Sequence, residues 1–444
     1  MTTVKIEPPQ IEWKGYEKII FRFLFIYFII QTIPLDWKYY KGLLSINWLD
    51  LKYGDIFFIS RYFPNFSSAT GSFTDWIIIA VIAAIGAFIW TKKDKPETDY
   101  TILYYWLRVI LRYRLAIGII GYGFIKFFPL QAPFPSISNL NTSYGDFTDW
   151  KIFSLSLGVV PTYESFLGGV ELLAGILLFF RRTASIGALF VLVFTGNVFI
   201  SNLAYTGGEY VYSFYLITLA IFVFAYDAQR IYNLISLGKP TIPNLFKPVF
   251  NGKLENIRIA VKITVIFFFV FVHGFKTYKG YKNDPYQFPK AKGLKGAAGI
   301  YNVAEFKLNG QARPYSVTDP VRWKDVVFEK WATISIRSNR PVKLEEASYE
   351  QISYKDEDRN YELSGSGGRH YYSYTIDSVN HVLSLKNKNR NYPDDRLILH
   401  YNRTDSNTIV LSGVDEAKDS VYVLLNKIDK KYPIKLGRRN RLKL

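Results

Sequence analysis

The sequence predicts two unlike parts: a membrane all-α bundle of about seven spanning helices, followed by an all-β small barrel or sandwich. Three observations predict it. Apolar runs close to the roughly 20 residues needed to cross a bilayer recur up to about residue 277. After that point such runs almost vanish, and short β-branched and aromatic stretches alternate with turn residues. The mean hydropathy of +0.04, which looks soluble, is the average of these two halves.

The first span is IIFRFLFIYFIIQTIPL (19–35). Arg22 lies near its start and can snorkel to the interface. Residues 1–18 are polar, and the run after them has no small-residue cleavage site, so it reads as a retained helix. Residues 36–74 form an aromatic loop with Trp37, Trp48 and Tyr53, placed on the membrane at headgroup level. DWIIIAVIAAIGAFIW (75–90) is the second span, and residues 1–100 therefore form an N-terminal helical hairpin. Four long apolar segments follow within 101–230. They are joined by a loop (127–161) with four prolines, by a turn at Arg181 and Arg182, and by residues 203–210. The tetrapeptide FTDW occurs at 73–76 and again at 147–150, ahead of spans two and four, which hints at related hairpins. Residues 231–276 hold a polar connector and a seventh span, IRIAVKITVIFFFVFVHGF (257–275).

Short-loop charge sets the orientation. Lys92, Lys93 and Lys95, then Arg181 and Arg182, then Arg230, Lys239, Lys247 and Lys253 fall on one side of seven alternating spans. The positive-inside rule makes that side cytoplasmic. The N-terminus is then inside, and residues 277–444 form a periplasmic domain of a bacterial inner-membrane protein. In that domain Tyr301–Leu308, Val326–Ile336, Tyr349–Tyr354, Tyr371–Ile376, Val382–Leu385, Arg396–Tyr401, Thr408–Leu411 and Ser420–Leu425 read as short strands. The end, KKYPIKLGRRNRLKL, is a basic tail.

Composition narrows the chemistry. The net charge is +18, and residues 277–444 carry 30 Lys/Arg against 20 Asp/Glu. That suits an anionic membrane surface; no nucleic-acid motif accompanies the charge. There is no Cys, and Met1 is the only Met, which excludes disulfides, a thiolate nucleophile, iron–sulfur clusters and Cys-type zinc sites. His273 reads as an interfacial hydrogen bonder, and His370, His381 and His400 as surface or strand residues without metal-type spacing. SGSGGR (364–369) lacks the Lys-Ser/Thr of a phosphate-binding loop and reads as an ordinary loop.

The candidate site is an intramembrane polar cluster: Arg112, Arg114, Tyr122, Lys126, Glu164, Glu171, Asn197 and Asn202. Ionisable groups in hydrocarbon are costly, so they face a partner or a cavity. Glu164 and Glu171 are seven residues apart, about 20° short of two helical turns, and share one face. Gly168 and Gly175 lie on that face and let another helix approach closely. Spans three and four are sequential and antiparallel, which lets Lys126 reach Glu164. Arg112 and Arg114 lie toward the inner end of span three. Asn197 and Asn202 would complete a polar interior. The cluster reads either as packing glue or as an outward-open pocket that protonates or binds a quinone, lipid or small headgroup.

RYRLAIGIIGYGFIKFFPLQ (112–131), YGD (144–146), YESFLGGVELLAGILLFFRRTASIGAL (163–189) and GNV (196–198) resemble the DoxX-like family of four-helix membrane proteins. GSFTDW (71–76), GIYNVAEFKLNGQ (299–311) and RWKDVVFE (322–329) fit its long bacterial form, with two extra N-terminal spans and a C-terminal part. The resemblance implies a central four-helix cassette, membrane location and redox-associated partners; it fixes no cofactor, and a quinone is the one it admits. AYTGGEYVYS after Asn202, and GRRNRLKL at the end, depart from the pattern. Three functions follow, in order: an accessory subunit of a membrane complex whose outer β domain docks other membrane or periplasmic subunits; a quinone-linked oxidoreductase subunit using Glu171; and a carrier of lipid or another apolar ligand in a lipocalin-like barrel.

Overall fold

The apolar runs fold as helices, some started by a side-chain cap and some, such as those beginning at Gly15, Thr101, Ala184 and Tyr210, without one. The computed structural model describes residues 13–67, 72–95, 97–242, 246–345 and 352–435. α1 (Gly15–Thr32) is followed by three shorter segments: α2 (Trp37–Ser45), started by the Asp36 carboxylate on the Lys38 amide, a turn at Trp48–Asp50, and α3 (Tyr53–Ser60). Ser72 caps α4 (Phe73–Lys93) on the Thr74 amide. α5 is Thr101–Phe127 and α8 is Pro161–Leu178. α9 (Ala184–Ala204) and α10 (Tyr210–Ser236) form the next hairpin. Asn251 caps α11 (Gly252–Ile266), which continues through a π-helical turn (Phe267–Val272) into α12 (His273–Asn283).

Among the described residues, five helical stretches are long and apolar enough to cross a membrane: Gly15–Ser45, Phe73–Lys93, Ala184–Ala204, Tyr210–Ser236 and Gly252–Asn283. The sequence reading counts seven; the other two are α5 and α8, which carry Arg108, Arg112, Arg114, Lys126, Glu164 and Glu171. Large apolar side chains on α4 (Ile77, Val81, Ile85, Phe88) and around the π-turn (Phe267, Phe271, Phe275) are exposed, as suits faces in hydrocarbon.

The chain divides into two units. One is Met1–Phe128 with Ser165–Gly280; the other is Pro129–Glu164 with Tyr281–Leu444. In the helical unit, Leu107, Leu111, Leu115 and Ile119 of α5 pack with Ala184, Ala188 and Val191 of α9 and Tyr212, Leu216 and Leu219 of α10 in one core. Residues 129–164, which take in most of the 127–161 stretch expected as an inter-span loop, belong to the second unit. They contain α6 (Ile137–Leu140) and α7 (Asp149–Gly158), capped by Ser136 and Thr148.

The second unit is an antiparallel barrel. Its strands are β1 (Gly299–Leu308), β2 (Gln311–Ala312), β3 (Asp325–Phe328), β4 (Thr333–Arg337), β5 (His370–Asp377), β6 (Val382–Asn387), β7 (Arg396–Arg403), β8 (Thr408–Asp415) and β9 (Ser420–Lys427). β1 and β3 to β9 pair in sequence order, and β1 returns to pair with β9, so eight strands close. β2 only prolongs a hairpin on β1. A bulge between Val303 and Glu305 bends β1 as it meets β9. Alternation puts Leu397 and Leu399 of β7 inside and leaves Arg396 and Ile398 outside. Tyr301, Phe306, Phe328, Ile334, Tyr374, Leu383, Leu411 and Val423 fill the interior, as an eight-stranded barrel allows.

Two strand readings change. Val326–Ile336 is not one strand but two, β3 and β4, reversing at Glu329–Ala332. Of Tyr349–Tyr354, residues 349–351 lie outside the described residues and 352–354 are not extended in the sheet. The basic tail from 436 onward also lies outside them.

Candidate functional site

The α5–α8 seam is built on glycine. A Cβ on Gly168 would sit 2.2 Å from the Phe127 nitrogen and 2.6 Å from the Gly123 oxygen, so the two backbones touch there. A Cβ on Gly175 would meet the Ile120 side chain at 2.4 Å. This contact sets the register: with Gly168 against Phe127, Lys126 is level with the next turn of α8. Its Nζ lies 2.5 Å from Glu171 Oε1, and both side chains are buried. The expected Lys126–Glu164 pair is therefore replaced by Lys126–Glu171. Glu164, in the first turn of α8, instead accepts the backbone N–H groups of Gln131 (3.1 Å) and Ala132 (3.0 Å) as the chain turns after α5.

The rest of the predicted cluster separates into four places. Arg114 donates to the carbonyls of Ser60, at 2.9 Å, and Tyr62, tying down the end of α3. Tyr122 donates to Glu209 Oε2 at 2.7 Å, and Glu209 also pairs with Arg61. The Arg61 guanidinium lies about 6 Å from the ring centres of both Tyr122 and Tyr212. Asn202 joins this second group: its Oδ1 accepts the Glu209 N–H at 3.1 Å, and its amide donates to the Val198 carbonyl. Arg112 lies elsewhere, beside Tyr113 and near Arg108. Asn197 is exposed and completes no interior. Neither Arg61 nor Glu209 is among the residues the sequence singles out as a site. The available signal was that Glu209 is the lone charge between two spans.

His273 departs from its expected interfacial role. It is wholly buried against Phe124, 5.2 Å between ring centres, and neither ring nitrogen has a hydrogen-bond partner among the described residues.

A larger polar network lies in the barrel unit, and the sequence reading did not anticipate it. Glu329, at the end of β3, accepts from Ser138 N (2.7 Å), Ser138 Oγ (2.7 Å) and Ile137 N (3.3 Å) of α6. Ser138 and Ser335 hydroxyls meet at 2.8 Å, and Arg369 reaches Ser335 Oγ (2.8 Å) and Asp325 Oδ1 (2.6 Å). Glu362 pairs with Lys388 at 2.9 Å and accepts the Trp331 indole N–H at 2.8 Å. Lys151 of α7 donates to the Tyr361 carbonyl. The loop 364–369 is what receives this segment. Gly365 has φ +66° and lies so close to Thr148 that a Cβ would clash at 2.5 Å. Burial, with the Glu362 charge nearby, raises the Glu329 carboxyl to about 7 against the pull of its three donors. Burial also pushes the Tyr371 phenol up to about 12 and the His370 imidazole down to about 4.

Comparison with protein-family models, characterised proteins and solved structures returned no match. The geometry stands on its own chemistry. No group of three or more His, Asp or Glu arranged to hold a metal occurs among the described residues. A groove of about 430 Å³ lies at the β1 bulge, lined by Asn302, Glu305, Phe306, Arg313, Tyr315 and Arg322.

Proposed function

We propose that this chain is a seven-span inner-membrane scaffold, N-terminus cytoplasmic, that carries a periplasmic barrel for docking other subunits of a membrane complex. The observation that carries the reading is that the acids singled out within the bundle serve the fold. Glu171 holds Lys126, Glu164 holds two backbone amides, and Glu209 holds Arg61 and Tyr122. A scaffold also needs a face for its partner. The groove at the β1 bulge, with Tyr315 66% exposed beside it, is suited to that.

Parity supports seven spans. Residues 129–164 and 281–444 fold as one unit, so both must lie on one side of a membrane. Five crossings alone would leave them on opposite sides: 129–164 would follow the second crossing and the barrel the fifth. Adding α5 and α8 as an antiparallel pair moves 129–164 to the barrel's side. Pairing Lys126 with Glu171 lowers the cost of burying both helices.

The second reading, a quinone-linked oxidoreductase subunit of the DoxX-like kind, is favoured by one detail. Glu171 Oε2 is buried and has no hydrogen-bond partner among the described residues. The carrier reading draws little support, because apolar side chains occupy the barrel interior.

The natural absence of Cys makes the topology directly testable. Single cysteines at Val379, 86% exposed in the β5–β6 turn, and at Val249, 99% exposed in the connector, report the two sides. In intact cells an impermeant maleimide is expected to label Val379→Cys and spare Val249→Cys. The reverse pattern refutes the orientation. Purification in mild detergent with mass spectrometry tests the docking role, and a lone monomer with no stoichiometric partner counts against it.

A further inference from the structure

We propose that the inner end of α5 binds the phosphate group of an anionic lipid headgroup. The site lies between Arg108 and Arg112 of α5 and Lys262 of α11. The assignment to the inner leaflet rests on the orientation above; the phosphate chemistry does not.

Arg108 is 9% exposed, and the Arg112 and Lys262 side chains are half-buried. No carboxylate lies within 4 Å of any of the three among the described residues, unlike Arg22, Arg61 and Lys126, each of which has an acid. The Nε atoms of Arg108 and Arg112 are buried and lack hydrogen-bond partners. Arg108 is held by its face, with Cζ 3.3 Å from the Tyr226 ring centre, at a narrow cleft that Thr101, Tyr104 and Phe246 also line. Lys262 Nζ lies 4.5 Å from the Phe180 ring centre.

The neighbouring charges make the excess larger. Arg181, which donates to the Phe246 carbonyl, adds its field at Arg108 and Arg112; Arg258 adds its own at Lys262. Asp227 offsets part of the field at Arg108 but is itself engaged by Ser185 and Arg230, and Glu255 is engaged by Lys247 and Arg258. Like charges left together at low dielectric are costly, and a diffuse, multiply accepting anion relieves that cost. A guanidinium pair suits phosphate because its N–H donors fit two phosphate oxygens at once. Basic pockets between helices on the cytoplasmic side recognise lipid headgroups in this way.

The test uses the full chain in mild detergent and native mass spectrometry. The probes are phosphatidylglycerol, phosphatidylethanolamine and inorganic phosphate. Wild type is expected to retain phosphatidylglycerol over phosphatidylethanolamine about tenfold. Arg108→Gln/Arg112→Gln is expected to abolish that preference. Lys262→Gln leaves both arginines in place and guards against misfolding of the double variant; it is expected to weaken retention about threefold. Protection by inorganic phosphate with no lipid preference would overturn the lipid assignment and identify a soluble phosphate compound. Equal retention of both lipids by wild type and Lys262→Gln would overturn the site. The cysteine-labelling pattern can fail without affecting these results, and the reverse holds too.

Discussion

Replacing Glu329 by Gln separates the cost of burying a carboxylate from the worth of its hydrogen bonds. The carboxyl rises from an ordinary 4.5 to about 7 in the folded barrel unit. The groups facing it are Glu362, which raises it, and Ser138 and the Ile137 amide, which lower it; Tyr374 also lies near. Below pH 4.5 the acid is protonated whether the unit is folded or not, and its contribution is fully present. As the pH rises, the unfolded chain ionises first and the folded state loses stability. The loss is complete once the pH passes about 7. At about 1.4 kcal/mol per pH unit the total is about 3 kcal/mol. Gln keeps the shape and accepts some of the three donors, at a cost of about 1–3 kcal/mol that does not vary with pH. For a unit of about 200 residues, about 3 kcal/mol corresponds to a fall of about 6–12 °C in the melting temperature. Full-length wild type and Glu329→Gln, melted in detergent between about pH 4.5 and 8, are therefore expected to converge as the pH rises. Melting curves that stay parallel across that range refute the reasoning. A protonated-carboxyl infrared band, present in wild type at about pH 6 and absent in the variant, gives an independent reading.

The helical unit yields three further predictions. Glu171→Gln leaves Lys126 buried without its partner and is expected to cost about 3–5 kcal/mol. Adding Lys126→Met should restore most of that, and thermal melts in detergent decide it. Among the α8 glycines, Gly168→Ala strikes the Phe127 backbone and should cost at least about 3 kcal/mol. Gly175→Ala can displace the Ile120 side chain for about 1–2 kcal/mol. Gly169→Ala meets nothing nearer than 3.8 Å and should be neutral, so equal yields of all three as monodisperse protein would contradict the seam. Arg114→Lys cannot serve the Ser60 and Tyr62 carbonyls with one planar fork, and should speed proteolysis near residue 60.

What could be read from the chain depended on whether the signal was local. The helix that carries Glu164 and Glu171 and the strand at Arg396–Tyr401 are local signals, and both elements appear in the structure. The Lys126 partner is not local: it depends on how far α8 slides along α5, and the Gly168–Phe127 contact decides that. Residues 129–164 looked like a loop because they are rich in proline and polar groups. Their partners, Glu329, Tyr361 and Glu362, are about 200 residues away, where no periodicity reports them. The split of Val326–Ile336 was hidden because its reversal at Glu329–Ala332 uses neither Gly nor Pro.

Span counting shows the same limit from the other direction. Hydropathy adds residues one at a time, so α5 and α8 are penalised for each charge they carry. Lys126 and Glu171 cancel much of that penalty by meeting, and Arg114 reduces its own by holding two carbonyls. Arg108 and Arg112 make no ion pair within 4 Å among the described residues, and their Nε atoms have no hydrogen-bond partner there. A helix whose charges are matched inside the fold is cheaper to bury than its composition suggests. On the proposal above, the two arginines of α5 without an ion pair are where a lipid phosphate, rather than the protein, supplies the opposite charge.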